Sequence, residues 1–190
     1  MQSFDEIREF AKSVLSEKRF LHTLSVAEEA KELASIWGAD SDKAYLAALI
    51  HDIAKEMSFE ESKEILKKAG LPNDFSRPLI HGPVAEYMAR EKFGIDDEDV
   101  LNAIRYHSTG RVGMSHLEKI IFVADFTEPG RIYQDSKEVR ELSRKDLDDA
   151  MLLQCDRCIK FLIDTGKIVD TLTVDLRNSL IKQQKRGKDK

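Results

Sequence analysis

The sequence predicts an all-α fold, and three observations predict it. Apolar residues recur at steps of three and four over most of the 190 residues, the spacing that places side chains on one face of a helix. No stretch alternates apolar and polar residues as a half-buried strand would. No repeat or low-complexity linker divides the chain, so its length points to one domain with a sizeable core. The expected architecture is a helical bundle with extra C-terminal helices, a domain over 1–184 with its core over about 18–127.

Phe4, Ile7, Phe10, Ala11, Val14 and Leu15 predict a first helix from Phe4 to Ser16. His22, Val26, Ala30, Leu33 and Trp37 follow on one face, and Gly38 ends that helix. Arg19 shares the stripe if the helix already includes it. Ala44, Ala47, Ala48, His51 and Lys55 form a third face whose alanines admit a close neighbour. Asp52 lies about 100° round from His51, so both reach one groove between helices. Phe59 to Ala69 is a short polar helix ended by Gly70, and Leu71 to Ile80, with Pro72 and Pro78, is a loop. His81-Gly82-Pro83 opens the next helix, with Pro83 suited to its first turn and Val84, Tyr87, Met88 and Phe93 inward. His81 then sits at a helix mouth beside free amide donors that favour an anion. Asp96 to Asp99 starts a helix carrying Val100, Ala103, Ile104 and His107 inward. After a loop, Ser115 and Glu118 match a capping box ahead of Ile120 to Phe126, and Glu128-Pro129-Gly130-Arg131 is a turn. Helical stretches around Leu147–Asp164 and Thr171–Gln184 complete the fold, and Lys185 to Lys190 is a frayed basic tail.

A hydrophobic content of 42% with 34% charged residues fits a soluble globular protein. The net charge of −5 argues against a general nucleic-acid or membrane binder. Recognition of an anionic substrate would fall to local cations or metal. Met1 to Glu6 lacks the charged and apolar regions of a leader, and no run approaches a membrane span. Two cysteines cannot build a disulfide framework, so a reducing cytoplasm is the expected compartment. The oligomeric state is open, a homodimer included.

The stretch Ala47 to Lys55 carries the chemistry. An apolar run leads into His51 and Asp52, and burying an unpaired carboxylate is costly. A divalent metal would compensate both. Taken singly, such residues have plain structural readings: His22 as a satisfied core histidine, Asp125 as a helix cap or a partner of Arg131. Taken together, His22, His51, Asp52, His81, His107 and Asp125 would each need a separate buried partner. Nitrogen and carboxylate donors without thiolate suit iron, manganese or zinc rather than calcium. Six ligands exceed what a one-metal hydrolytic centre with open positions takes, and they suit two metals sharing a carboxylate. The fifth histidine, His116, has no apolar face behind it and is expected at the surface.

The order His22, His51-Asp52, His81, His107, Asp125 resembles the HD-domain metal-dependent phosphohydrolases. Five local strings are similar to the YqeK-type branch, which splits diadenosine tetraphosphate into two ADP: Lys18 to His22, His51 to Glu56, His81 to Pro83, Ile104 to Gly110, and Ala124 to Arg131. The resemblance runs from about Arg19 to Asn178. It implies two transition-metal ions, iron first and manganese or another divalent metal as alternatives. Asp52 would bridge them, His22, His51 and Asp125 would complete one, and His81 and His107 the other. A hydroxide activated there would attack phosphorus, with Asp52 and Lys55 catalytic. Arg19, Lys55 and Arg131 would hold phosphates, alongside His22, His81 and His107. The backbone around Gly82 and Pro83, the Thr109 hydroxyl and Arg177 are further expected contacts of the dinucleoside polyphosphate. Other readings stay open: an HD phosphohydrolase acting on mononucleotides or cyclic nucleotides, an HD-fold di-iron oxygenase, or a non-catalytic nucleotide sensor. The string Cys155-Asp156-Arg157-Cys158 lies inside a helical pattern, which disfavours a redox or zinc site.

Overall fold

Side-chain caps set most helix starts in this computed structural model, which describes residues 3–188. Ser3 and Glu6 form a capping box at α1 (Phe4–Val14), and Ser16 caps α2 (Glu17–Trp37). Asp40 caps α3 (Ser41–Ile50) and Ser58 with Glu61 boxes α4 (Phe59–Lys68). Asp97 caps α6 (Glu98–Tyr106), the expected Ser115–Glu118 box opens α7 (His116–Thr127), and Asp146 caps α9 (Leu147–Asp164). Each cap satisfies amide donors that the first helical turn leaves without partners. The remaining helices are α5 (His81–Phe93), α8 (Gln134–Ser143) and α10 (Thr171–Lys188). Among the described residues there is no strand, and no helix is long and apolar enough to cross a membrane.

The core is built where α2 packs on α3 and α7, α6 on α7, and α5 on α6. Leu33, Leu49, Ile50, Ile104, Ile120 and Ile121 are fully buried there, and Ala47 and Ala48 keep the backbones close. These are the helices that carry the histidines and aspartates singled out above, so the packing that buries the apolar faces also fixes those polar side chains.

Three features differ from the sequence expectation. The α-helical pattern does not continue to Lys55: α3 ends at Ile50 and the chain goes on in tight turns. Their hydrogen bonds run from Ile53 N to Ile50 O (3.1 Å), Lys55 N to Asp52 O (2.9 Å) and Met57 N to Ala54 O (3.2 Å). This is the i→i+3 spacing of a 3₁₀-like segment, which rotates residues faster than an α-helix. Lys55 is therefore aimed by these turns and not by an α-helical stripe. Second, α8 has no counterpart in the apolar pattern. Its inward side is largely polar, with Ser136 and Ser143 buried beside Val139. It is anchored by Arg144, which pairs with both oxygens of buried Glu29 at 2.7 and 2.9 Å, and by Trp37, whose indole donates to Ser143 O at 2.8 Å. Third, α10 runs to Lys188, past the Gln184 limit read from the pattern; Asp189 and Lys190 of the expected tail lie outside the described residues.

Gly82 marks the closest approach of α5 to α6. A Cβ there would lie 2.5 Å from the carbonyl oxygen of Arg105, a backbone atom that cannot swing aside. Gly82→Ala is expected to cost about 1–3 kcal/mol, the usual range for overpacking. A thermal melt lowered by several degrees checks it, and an unchanged melt would contradict the packing.

Candidate metal centre

Four helices and one turn segment bring six side chains to a single point. His22 comes from α2, His51 and Asp52 from the end of α3 and its turns, His81 from the start of α5, His107 from the end of α6, and Asp125 from α7. His51, Asp52, His81 and His107 are buried. Asp52 is central. Its Oδ1 lies 3.4 Å from His81 Nε2 and 3.6 Å from His107 Nε2. Its Oδ2 lies 3.6 Å from His51 Nε2 and 3.9 Å from His22 Nε2. His22 Nε2 is 3.0 Å from Asp125 Oδ1. Two overlapping groups of donor atoms have the closeness needed for an ion: His22 with His51 and Asp125, and His51 with Asp52 and His107.

The tautomers are fixed from behind. His51 Nδ1 donates to Ala48 O at 2.6 Å and His107 Nδ1 donates to Ile104 O at 2.7 Å. A carbonyl accepts only from a protonated nitrogen, so in its neutral form each ring turns a bare Nε2 toward the site. That backbone anchoring is the arrangement that orients metal-bound histidines. His51 Nε2 is buried without any hydrogen-bond partner among protein atoms, a costly state for a polar atom unless something else occupies its lone pair. His107 Nε2 faces His81 Nε2 at 3.0 Å. Lone pairs that close repel unless a proton or a cation intervenes, and the Ser108 hydroxyl, 2.9 Å from His107 Nε2 and 3.2 Å from His81 Nε2, offers a single donor to the pair. The donor set, nitrogen and carboxylate with no thiolate, fits a transition metal.

Electrostatics keep His51, His81 and Asp52 in their ligating forms. Burial pushes the His51 pKa down to about 4. Burial also holds His81 well below the usual imidazole range, with His107 and Lys55 acting the same way. For Asp52, burial alone would raise the carboxyl, but His51, His107 and Lys55 overcome it and hold the group ionised. His22 moves the other way: Asp125 and Glu128 outweigh burial and raise it.

A pH prediction follows for the metal-free protein. Unfolded His51 returns to about 6.5 and takes up a proton between pH about 6.5 and 4 that the folded protein refuses. Stability is therefore present above that window and lost as pH falls through it, by roughly 3 kcal/mol for a shift of this size. His22, with a raised pKa, contributes in the opposite sense: its share is full below about 6.5 and is lost as pH rises through its folded pKa. Chelator-treated protein should unfold at lower urea near pH 5 than near pH 7. Equal midpoints would mean that His51 is not buried neutral.

Cations ring the cluster. Arg19 donates to Asp52 Oδ2 at 2.9 Å, Arg131 to Asp125 Oδ1 at 3.2 Å, and Lys55 Nζ lies 3.1 Å from His81 Nε2. Arg19, His22 and Arg131 line a cleft of about 990 Å³, while Lys55 and His81 line a second of about 310 Å³. Other expected contacts are not brought here. The Thr109 hydroxyl donates to Gly110 O at 3.0 Å, and Thr109 is buried with its own carbonyl bonded to Thr173. Arg177 lies on α10, its guanidinium on Asp156 of α9, lining a separate groove. Gly82 and Pro83 are buried. Two amides at the α5 mouth are taken within the chain, Gly82 N by Leu79 O and Val84 N by Ile80 O, and Pro83 has no N–H.

Two features escaped the sequence reading. Glu128 is buried, and its Oε1 lies 3.2 Å from His22 Nδ1 while its Oε2 accepts from Gly130 N at 2.5 Å. It holds His22 from behind as the carbonyls hold His51 and His107. A carboxylate three residues after Asp125, beside a Pro-Gly turn, was the available signal. The second is Arg140 on α8, which donates to the carbonyls of Thr127, Glu128 (2.6 Å) and Arg131 (3.1 Å) and so ties down the turn bearing Arg131. His116 is exposed, as expected. Cys155 and Cys158 sit within α9, and burial pushes their thiols up to about 12 and about 11.

Residues 19–130 match the model of the HD domain family. The symmetrical bis(5'-nucleosyl)-tetraphosphatase of Bacillus subtilis (strain 168) is 42% identical over 161 residues, covering 83% of this chain and 87% of that protein. The enzyme of the same name from Halalkalibacterium halodurans is 39% identical over 180 residues, covering 93% and 96%. A crystal structure of an HD superfamily hydrolase from Clostridium acetobutylicum, described as involved in NAD metabolism, superposes with a TM-score of 0.93 at 42% identity. It covers 96% of this chain and 99% of that one.

Proposed function

This chain belongs to the HD domain family, and on that premise we propose that it hydrolyses dinucleoside tetraphosphates symmetrically, releasing two ADP from diadenosine tetraphosphate at a two-metal centre. The single observation that carries the reading is the convergence of three histidines and Asp52 around one buried point, with His51 Nε2 unpartnered there. The activity for which the relatives are named supports the substrate class.

His22, His51 and Asp125 would hold one ion, His81 and His107 the other, and Asp52 both. Iron is the proposed metal. Two bound ions supply a water of lowered pKa and neutralise charge on the reacting phosphate. The remaining chemistry belongs to the chain. Arg19 and Arg131 now rest on the ligand carboxylates at 2.9 and 3.2 Å; with the carboxylates on metal, they can turn to phosphate oxygens in the larger cleft. Lys55, 3.1 Å from His81, grips a phosphate on the other side. Cations on both sides of the centre fix which bridge lies over the metals, a positioning effect. We place this activity in the cytoplasm.

Hydrolysis in heavy-oxygen water tests the register. The expected products are two ADP, with the label on the terminal phosphate of one. AMP and ATP as primary products would overturn the register, and no nucleotide release at all with metal present would overturn the activity.

A further inference from the structure

A tetraphosphate bridge cut at its centre has two nucleoside diphosphate halves, and they must leave the metals in opposite directions. The cleft lined by Arg19, His22 and Arg131 offers a place for one of them. On the other side of Asp52 the smaller cleft, about 310 Å³, opens past Lys55 and His81. Both volumes fall in the range of small-ligand sites, roughly 300–1,000 Å³. The two clefts meet at Glu56, which lines both. Each also contains one histidine of the cluster, His22 in the larger and His81 in the smaller. A chain of phosphates can therefore run from one cleft to the other across the cluster.

We infer that the smaller cleft is the subsite for the second nucleoside diphosphate, and that Arg77 is its anion-binding residue. Arg77 lies in the loop before α5, is exposed, and lines this cleft. Its guanidinium has no ion-pair partner among the described residues, whereas neighbouring Arg105 and Arg90 are paired with Glu86 and Glu98. With Lys55, the Arg77 guanidinium outweighs Glu56, the one carboxylate lining this cleft, and makes it positive where the chain as a whole is acidic, at −5. A planar guanidinium suits bidentate phosphate contact. Met57 and Phe59, both only partly buried, supply apolar lining in the same cleft for the base.

This inference rests on the dinucleoside tetraphosphate reading, and two measurements separate their failures. The first is the number of ADP molecules bound by the metal-loaded protein, by calorimetry. Wild type is expected to bind two per chain and Arg77→Glu one. One ADP per wild-type chain overturns the inference. The second is turnover of diadenosine tetraphosphate. Arg77→Ala is expected to raise KM about tenfold, the size of one lost charge-assisted contact. Arg77→Glu should raise it further, with kcat within a few-fold and the thermal melt unchanged, because Arg77 is exposed. Lys182→Glu, an equal charge change at an exposed position of α10 in neither cleft, should leave KM unchanged. If Arg77→Glu behaves like Lys182→Glu, the subsite assignment is wrong while the activity stands. If wild type binds two ADP but releases none from the dinucleotide, the activity is wrong while the subsite stands.

Discussion

Asp52→Ala is expected to lose metal and activity together. Asp52 approaches four histidines at once: it lies 3.4 to 3.9 Å from His81, His107, His51 and His22 through its two oxygens. Removing it leaves the buried imidazoles without the one anion at their centre, and the nitrogen lone pairs then have no negative charge to help retain a divalent ion. Metal analysis of anaerobically purified protein should fall from about two ions per chain toward none, and ADP release should fall by about three orders of magnitude or more, the scale for loss of a shared metal ligand. Asp52→Asn keeps the shape and one neutral oxygen. It should fold as wild type, so a loss of metal in it isolates the charge from any packing defect. A fully metalled, active Asp52→Ala protein would rule out a shared carboxylate.

The second large effect sets two histidines against each other. His107 is buried at the end of α6, with Nδ1 on Ile104 O and Nε2 toward Asp52 and His81. His116 opens α7 from an exposed position. His107→Ala is expected to reduce turnover by about three orders of magnitude and to weaken binding of one ion, as loss of a ligand does. His116→Ala should stay within about threefold, the usual fate of an exposed side chain away from a site. Equal effects in the two variants would mean that α6 does not present His107 to the centre. Restored metal content without restored turnover in His107→Ala would show that this ring acts on the reaction rather than on the ion.

The same contrast separates what was legible in the sequence from what was not. Helices with a broad apolar face, such as α2 with Val26, Ala30 and Leu33, could be read directly, because burial of that face is what stabilises them. Capped starts such as Ser115–Glu118 were legible because the cap is a local bond between residues three apart. Helix α8 was not, because its stability comes from Arg144 on Glu29 and Trp37 on Ser143 O, partners more than a hundred positions away. The turn at His51 to Met57 was not, because α-helical and 3₁₀ segments share nearly the same apolar spacing and differ in which carbonyl each amide finds.

By itself, the sequence determined the all-α class and pointed to the six histidines and aspartates that the fold brings together, since both are written in periodicity and in polar side chains that interrupt apolar runs. The tertiary structure alone decided how those residues are used. It set which imidazole nitrogen faces inward, by placing a carbonyl behind His51 and His107 and a carboxylate behind His22. It gave Thr109 and Arg177 partners within the chain, and it used the Gly82 and Val84 amides of the α5 mouth in the same way. The physical reason is that a residue's identity fixes what it can bond, but the partner it finds depends on which distant segment the fold brings within about 3 Å.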